Sequence, residues 1–207
     1  MICHAGPPLG GRGCYFYEEA HVTAPRLFCS RTGLLVVDVQ ERLAAAMPAD
    51  SLAAVVKNMR ILIQGARVLR LPVVVSEQYT KGLGPTLSEL REVLPEGAPV
   101  IEKLHFSCWG SPELASTIKG LGRDQWIVVG IETHVCVFQT VRDMVDHGLV
   151  VHVPVDAVLS RTKLNVDAGL RLMERAGAVL SSTEAVLFDM LERAGTPEFK
   201  AISKLVK

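Results

Sequence analysis

The chain has 207 residues, 49% hydrophobic and 21% charged, which is the composition of a globular chain long enough to bury one sizeable core and excludes extended disorder. Its 22 basic and 22 acidic side chains cancel, which removes the electrostatic case for a nucleic-acid partner. No run of about 20 apolar residues is present, so no membrane-spanning helix is expected.

Residues 1–30 are rich in Gly and Pro and carry no clear period; they read as a poorly ordered extension of a domain over residues 31–207. From there the pattern changes. GLLVVD (33–38), LPVVVSE (71–77), APVIEK (98–103), QWIVVGI (125–131), LVVHVPVDA (149–157) and AVLSS (178–182) are six β-branched runs of strand length. Helical stretches separate most of them. Residues 50–70 place Leu52, Val55, Val56, Met59, Leu62 and Ile63 on one stripe. Residues 111–121, 134–147, 163–177 and 183–194 also read as helices, and the tail TPEFKAISKLVK sets Phe199, Ile202, Leu205 and Val206 on one side of a short one. Alternating strands and helices imply a parallel sheet with both faces covered. In such a sheet the ligand site lies at the carboxyl ends of the strands, near the switch in strand order.

Three reactive side chains fall at those ends. The first strand ends in Asp38, the third in Lys103, and the fourth runs into the turn before Cys136. Thr133 is a candidate N-cap for a helix whose Val137, Val141, Met144 and Val145 face the core. Cys136 then lies in the first turn, where free N–H groups and the positive dipole end favour an anion. Lys103 adds a second stabilising charge, and both favour the reactive thiolate. Asp38 accepts the thiol proton and returns it to a leaving group. The five cysteines (3, 14, 29, 108, 136) are odd in number and lack a CxxC pair. Neither a disulfide framework nor a zinc ribbon is expected, and a reducing cytosol is the expected location.

Three segments carry a resemblance to a known family: LLVVDVQERL, IEKLHFSCWGSPEL and WIVVGIETHVCVFQTVRDMVDHGLVVHVPVDAV. They resemble the isochorismatase-like hydrolase (cysteine hydrolase) superfamily from about residue 32 to the end. SEQYTKGLGPT after the second strand is most similar to a metal-independent subgroup, that of isochorismatase domain-containing protein 2 and YcaC. The resemblance implies an α/β fold, a three-layer Rossmann-like sandwich with a six-stranded parallel sheet. It implies a triad of Asp38, Lys103 and Cys136, a non-proline cis peptide between Ile131 and Glu132, and an oxyanion hole made by the backbone N–H groups of Glu132 and Cys136. The implied activity is hydrolysis of a small amide-like C–N bond through a thioester, without cofactor, in a homo-oligomer that is a dimer or larger. Metal-dependent members carry an Asp-x-His pattern; the six histidines here form no such set, so no metal is expected.

Other residues keep two readings. Gln40 either lines the pocket or faces solvent. Gln78 and Tyr79, past the second strand, and Phe106 and Trp109, past Lys103, either wall a substrate pocket or pack in the core. His134 reads as a surface helix residue and Cys108 as a bystander close enough to pair with Cys136 on oxidation. Asp156 reads as structural, with Arg161 as partner. GPPLGGRG and GLGPT lack the features of a phosphate loop. The rival to a hydrolase is a binding or scaffold protein of the same fold with an idle triad.

Overall fold

The computed structural model of the chain describes residues 24–207; the expectation for residues 1–23, with Cys3 and Cys14, lies outside the described residues. Residues 24–30, which the sequence assigns to the extension, lie against the domain. Leu27 is fully buried, and its N–H donates to Asp189 Oδ2 at 2.8 Å.

The strands are β1 (Thr32–Val37), β2 (Val73–Gln78), β3 (Val100–Lys103), β4 (Gln125–Ile131), β5 (Val150–Pro154), β6 (Val158–Leu159) and β7 (Val179–Ser181). All pair in parallel, in the order β3-β2-β1-β4-β5-β7, with β6 also on β4. The chain steps outward from β1 through β2 to β3, then crosses to β4 on the other side of β1. The switch in strand order therefore falls between β1 and β4.

Six strands make the main order, as expected, and a two-residue seventh, β6, follows the run 149–157. Pro154 has no N–H to give to a ladder, and β5 ends there, opposite Ser181 of β7. A 3₁₀ turn, Val155–Ala157, follows. The chain then returns to β4 as β6, pairing Val158 with Gly130 and Leu159 with Ile131. So β4 has β5 beside its start and β6 beside its end.

The helices are α1 (Glu41–Ala44), α2 (Ala49–Leu69), α3 (Thr80–Leu83), α4 (Ser88–Arg91), α5 (Pro112–Gly120), α6 (Phe138–Asp146), α7 (Lys163–Arg175), α8 (Thr183–Leu191) and α9 (Pro197–Leu205). Alternate strand residues enter opposite faces of the sheet. Leu34, Val36, Val73, Val75, Ile127 and Val129 pack with α2, α8 and α9. Leu35, Val37, Val74, Trp126 and Val128 pack with α5, α6 and α7. This is why the strand runs lack polar alternation. The tail helix docks on its own domain: Ile202 is fully buried, and Phe199, Leu205 and Val206 pack against the first core.

Candidate active site

Asp38 is the residue after β1. It is fully buried and has φ of 53°, a left-handed conformation that few residues other than Gly adopt and that Asp tolerates better than most. Its N–H donates to the Ser76 carbonyl at 3.1 Å, and this turn carries the carboxylate across the ends of β2 and β3. Oδ1 accepts from the Ser76 hydroxyl at 2.7 Å and Oδ2 from Lys103 Nζ at 2.6 Å. Both side chains of the ion pair are fully shielded from solvent. Lys103 Nζ also lies 3.0 Å from Gln78 Oε1, 3.1 Å from the His105 carbonyl and 3.0 Å from the Phe106 carbonyl. The lysine therefore fastens the loop after β3 to the carboxylate.

Cys136 approaches from the other side of the switch. The Ile131–Glu132 peptide is cis. The chain then enters a π turn, Thr133–Val137, in which Val137 N–H reaches the Glu132 carbonyl at 3.3 Å. Thr133 is not the N-cap. That position belongs to Glu132, with no side-chain cap, and the Thr133 hydroxyl is buried without a hydrogen-bond partner. The wider turn has replaced the ordinary first helical turn.

Two glycines make the turn fit. Gly130 has φ of 137°, and a Cβ there would overlap the Val37 carbonyl oxygen of the neighbouring strand. Gly169 lets α7 lie against the turn, since its Cβ would stand 2.9 Å from the Thr133 carbonyl carbon and oxygen.

The charge state of Cys136 differs from the thiolate expectation. Burial pushes the thiol well above its ordinary value; the Asp38 charge and a hydrogen bond to Asp38 raise it further, and Lys103 offsets only part. Cys136 therefore stands as a thiol beside the Asp38 carboxylate.

The remaining expected site residues divide. Gln40 neither faces solvent nor lines a pocket. It is fully buried; its Nε2 donates to the Gln78 carbonyl at 2.9 Å and the Gly84 carbonyl at 2.6 Å, and its Oε1 accepts from Gln78 N–H at 2.6 Å. It clamps the β2 exit to the loop over residues 79–86. Gln40→Ala is expected to lower stability by about 2 kcal/mol, because it removes three hydrogen bonds to partly buried backbone groups; urea unfolding checks this, and a loss under about 0.5 kcal/mol would contradict it. Gln78 acts on Lys103 and on the Leu104 carbonyl, 3.0 Å from its Nε2. Tyr79 and Phe106 are half exposed, with Leu104 more exposed still, and Tyr79 and Leu104 line a cavity of about 580 Å³ with Lys103, His105 and Glu102. Trp109 is turned away: its indole packs on His147, ring centroids 4.9 Å apart, and under Lys119 Nζ.

Two side-chain partners also differ from expectation. Arg161 Nε pairs with Glu132 at 2.8 Å, beside the cis peptide, instead of with Asp156. Asp156 Oδ1 accepts from Thr183 N–H and Oγ1. The break between β5 and β6 separates them. His134 is half buried rather than on the surface, its Nδ1 3.1 Å from Ser160 Oγ just after β6. Ser76 and Cys108 escaped the sequence reading altogether as neighbours of Asp38. The one signal was a small polar residue inside the apolar run VVVSE. Among the described residues no group of three or more His, Cys, Asp or Glu side chains is arranged to hold a metal ion.

Residues 32–185 match the model of the isochorismatase domain. The chain belongs to the isochorismatase family. The secreted isochorismatase effector Isc1 of Phytophthora sojae is 40% identical over 187 residues, 88% of this chain and 87% of that protein. Isochorismatase domain-containing protein 2 of Danio rerio is 35% identical, covering 87% and 89%. Among solved structures, the MAR1 ribonuclease of Caenorhabditis elegans superposes with a TM-score of 0.82 at 38% identity, covering 88% of this chain and 92% of that one. YcaC from Pseudomonas aeruginosa, with covalent acrylamide, gives 0.81 at 27% identity and the same coverage. Within the isochorismatase family the chain thus falls with the domain-containing protein 2 and YcaC-like members. Among the described residues no helix is long and apolar enough to cross a membrane.

Proposed function

We propose that this isochorismatase-family protein is a cysteine hydrolase acting on a small amide-like C–N bond. The observation that carries the reading is a buried Asp38 carboxylate held by Lys103 at 2.6 Å, with the Cys136 thiol near enough for the Asp38 charge to hold its proton on. The thiol proton passes to Asp38 as sulfur attacks the carbonyl carbon. The backbone N–H groups of Glu132 and Cys136 receive the oxyanion. The C–N bond breaks, Asp38 gives its proton to the departing amine, and a thioester remains. Water then attacks the thioester with Asp38 taking its proton; the acid leaves, and the proton returns to sulfur. Lys103 stays paired with the Asp38 carboxylate at 2.6 Å throughout.

The cavity lined by Tyr79 beside Lys103 and the exposure of Phe106 on the loop after it support substrate-binding roles for both, and Gln78 acts through Lys103. The scheme asks for no cofactor or metal and for no nucleic-acid or membrane partner. Exposed Val100, Leu104 and Phe106 on and after the edge strand β3 support a homo-oligomer, a dimer or larger. The free thiols Cys29, Cys108 and Cys136 support a cytosolic location, although the P. sojae relative is named as secreted.

The test uses acrylamide labelling of Cys136, read by peptide mass spectrometry, and ammonia release from a panel of small primary amides. Cys136→Ala is expected to abolish the label and to lower turnover of any accepted amide at least about 1000-fold. Full turnover by that variant would refute the scheme. Labelling without turnover of any amide would favour the scaffold reading. A second reading, RNA cleavage, is favoured by the name of the C. elegans protein and opposed by the balanced charge of this chain. Cleavage of a fluorogenic RNA that Cys136→Ala abolishes would select it.

A further inference from the structure

The hydrogen bonding on Asp38 does not stop at the triad. Ser76, at the end of the buried part of β2, gives its one hydroxyl hydrogen to Asp38 Oδ1 at 2.7 Å. Its oxygen accepts from Cys108 Sγ, on the loop between β3 and α5, at 3.3 Å. The Cys108 N–H donates to Thr140 Oγ1 at 2.9 Å, and Thr140 stands on α6, four residues beyond Cys136. All of these residues are buried. The contacts run from Asp38 through Ser76 and Cys108 to Thr140, on the helix that follows Cys136, whose thiol in turn feels the Asp38 charge.

The chain of donors has a direction. Burial and the charge of Asp38 push the Cys108 thiol up to about 11, so at neutral pH it keeps its hydrogen and acts as a donor. Ser76, receiving that bond, is left to donate to the carboxylate. A donor on a carboxylate favours its ionised form and fixes its orientation.

We propose that Ser76 is a positioning residue for the general base, and that Cys108 is the outer link that keeps the Ser76 hydroxyl pointed at Asp38. This rests on the reading in which Asp38 takes the proton of Cys136. The ionisable and polar groups facing Asp38 are Lys103 from β3, Ser76 from β2, Cys108 from the β3–α5 loop and Cys136 from the π turn. Of these, Ser76 and Cys108 have no other part in the mechanism.

The test is the pH dependence of Cys136 labelling by acrylamide in the full chain, from about pH 4.5 to 9. The wild-type profile supplies the reference acid limb. Ser76→Ala is expected to move that acid limb upward by about 0.5–1 pH unit and to lower the plateau several-fold. Ser76→Thr restores both, because it returns the hydroxyl. Cys108→Ala shifts the limb in the same direction by less, whereas Cys108→Ser, which keeps a donor, leaves it in place. A Ser76→Ala profile superimposed on the wild type, or no recovery with Ser76→Thr, overturns the proposal. If Ser76→Ala does not fold, the two Cys108 variants decide: identical acid limbs for Cys108→Ala and wild type refute the link. Asp38→Asn separates the two levels. If it leaves the labelling rate unchanged, the reading of Asp38 as base fails; if it slows labelling while Ser76→Ala does not move the limb, only the positioning role fails.

Discussion

Lys103→Ala is expected to destabilise the fold by about 3–5 kcal/mol and to abolish Cys136 labelling. The reason is the environment rather than the contact. Asp38 and Lys103 are 2.6 Å apart, and neither side chain reaches solvent. Removing the ammonium leaves a buried carboxylate with no compensating charge. It also strips the donor from Gln78 Oε1 and from the carbonyls of His105 and Phe106. Replacing both ions by neutral groups of similar size removes the charge problem, so Asp38→Asn with Lys103→Met is expected to regain most of the loss while remaining unreactive. Urea unfolding of the wild type, the single variant and the double variant checks this. A Lys103→Ala loss below about 1 kcal/mol would mean that the pair does not carry the burial cost argued for it.

Gly130→Ala is expected to be as damaging, for a different reason. Its φ of 137° lies outside the range open to a residue with a side chain. Gly130 is also the register partner of Val37 between β1 and β4, and the added methyl would overlap the Val37 carbonyl. Both penalties act at the strand junction that carries Asp38 on one side and the nucleophile turn on the other. A loss of at least about 4 kcal/mol, or no folded product, is expected. Gly97→Ala is the control. Its φ is also positive, 75°, but nothing lies near the new methyl, so it should cost only about 1 kcal/mol. Thermal unfolding of the pair separates the steric part from the conformational one; equal shifts would contradict the overlap.

Much of this architecture is legible in the residue order. The runs GLLVVD, LPVVVSE and QWIVVGI are apolar without alternation because both faces of the sheet are covered. Asp38, Lys103 and Cys136 stand at or just past strand ends, so a parallel sheet brings them to one edge. What stays hidden depends on register and on turns. Ser76 meets Asp38 only because Ser76 is paired with Val37, one residue earlier. Trp109 could not be assigned a side without knowing that its loop carries it to His147 at the C-terminal end of α6. Arg161 reaches Glu132 because Pro154 ends β5 and the returning β6 lies beside the end of β4. The protonated state of Cys136 was invisible for another reason. The helix end and Lys103 both argue for an anion, and only burial beside Asp38 reverses the sign.

The four oxygens around Lys103 Nζ have a simple arithmetic consequence. An ammonium carries three hydrogens, yet Asp38, Gln78, His105 and Phe106 all present an acceptor within 3.1 Å. Its donor capacity is oversubscribed before any substrate arrives. An incoming carbonyl cannot be held by this lysine unless a loop oxygen is released first. Under the proposed scheme, choice among substrates falls to groups outside the ion pair, with the exposed rings of Tyr79 and Phe106 as the proposed candidates.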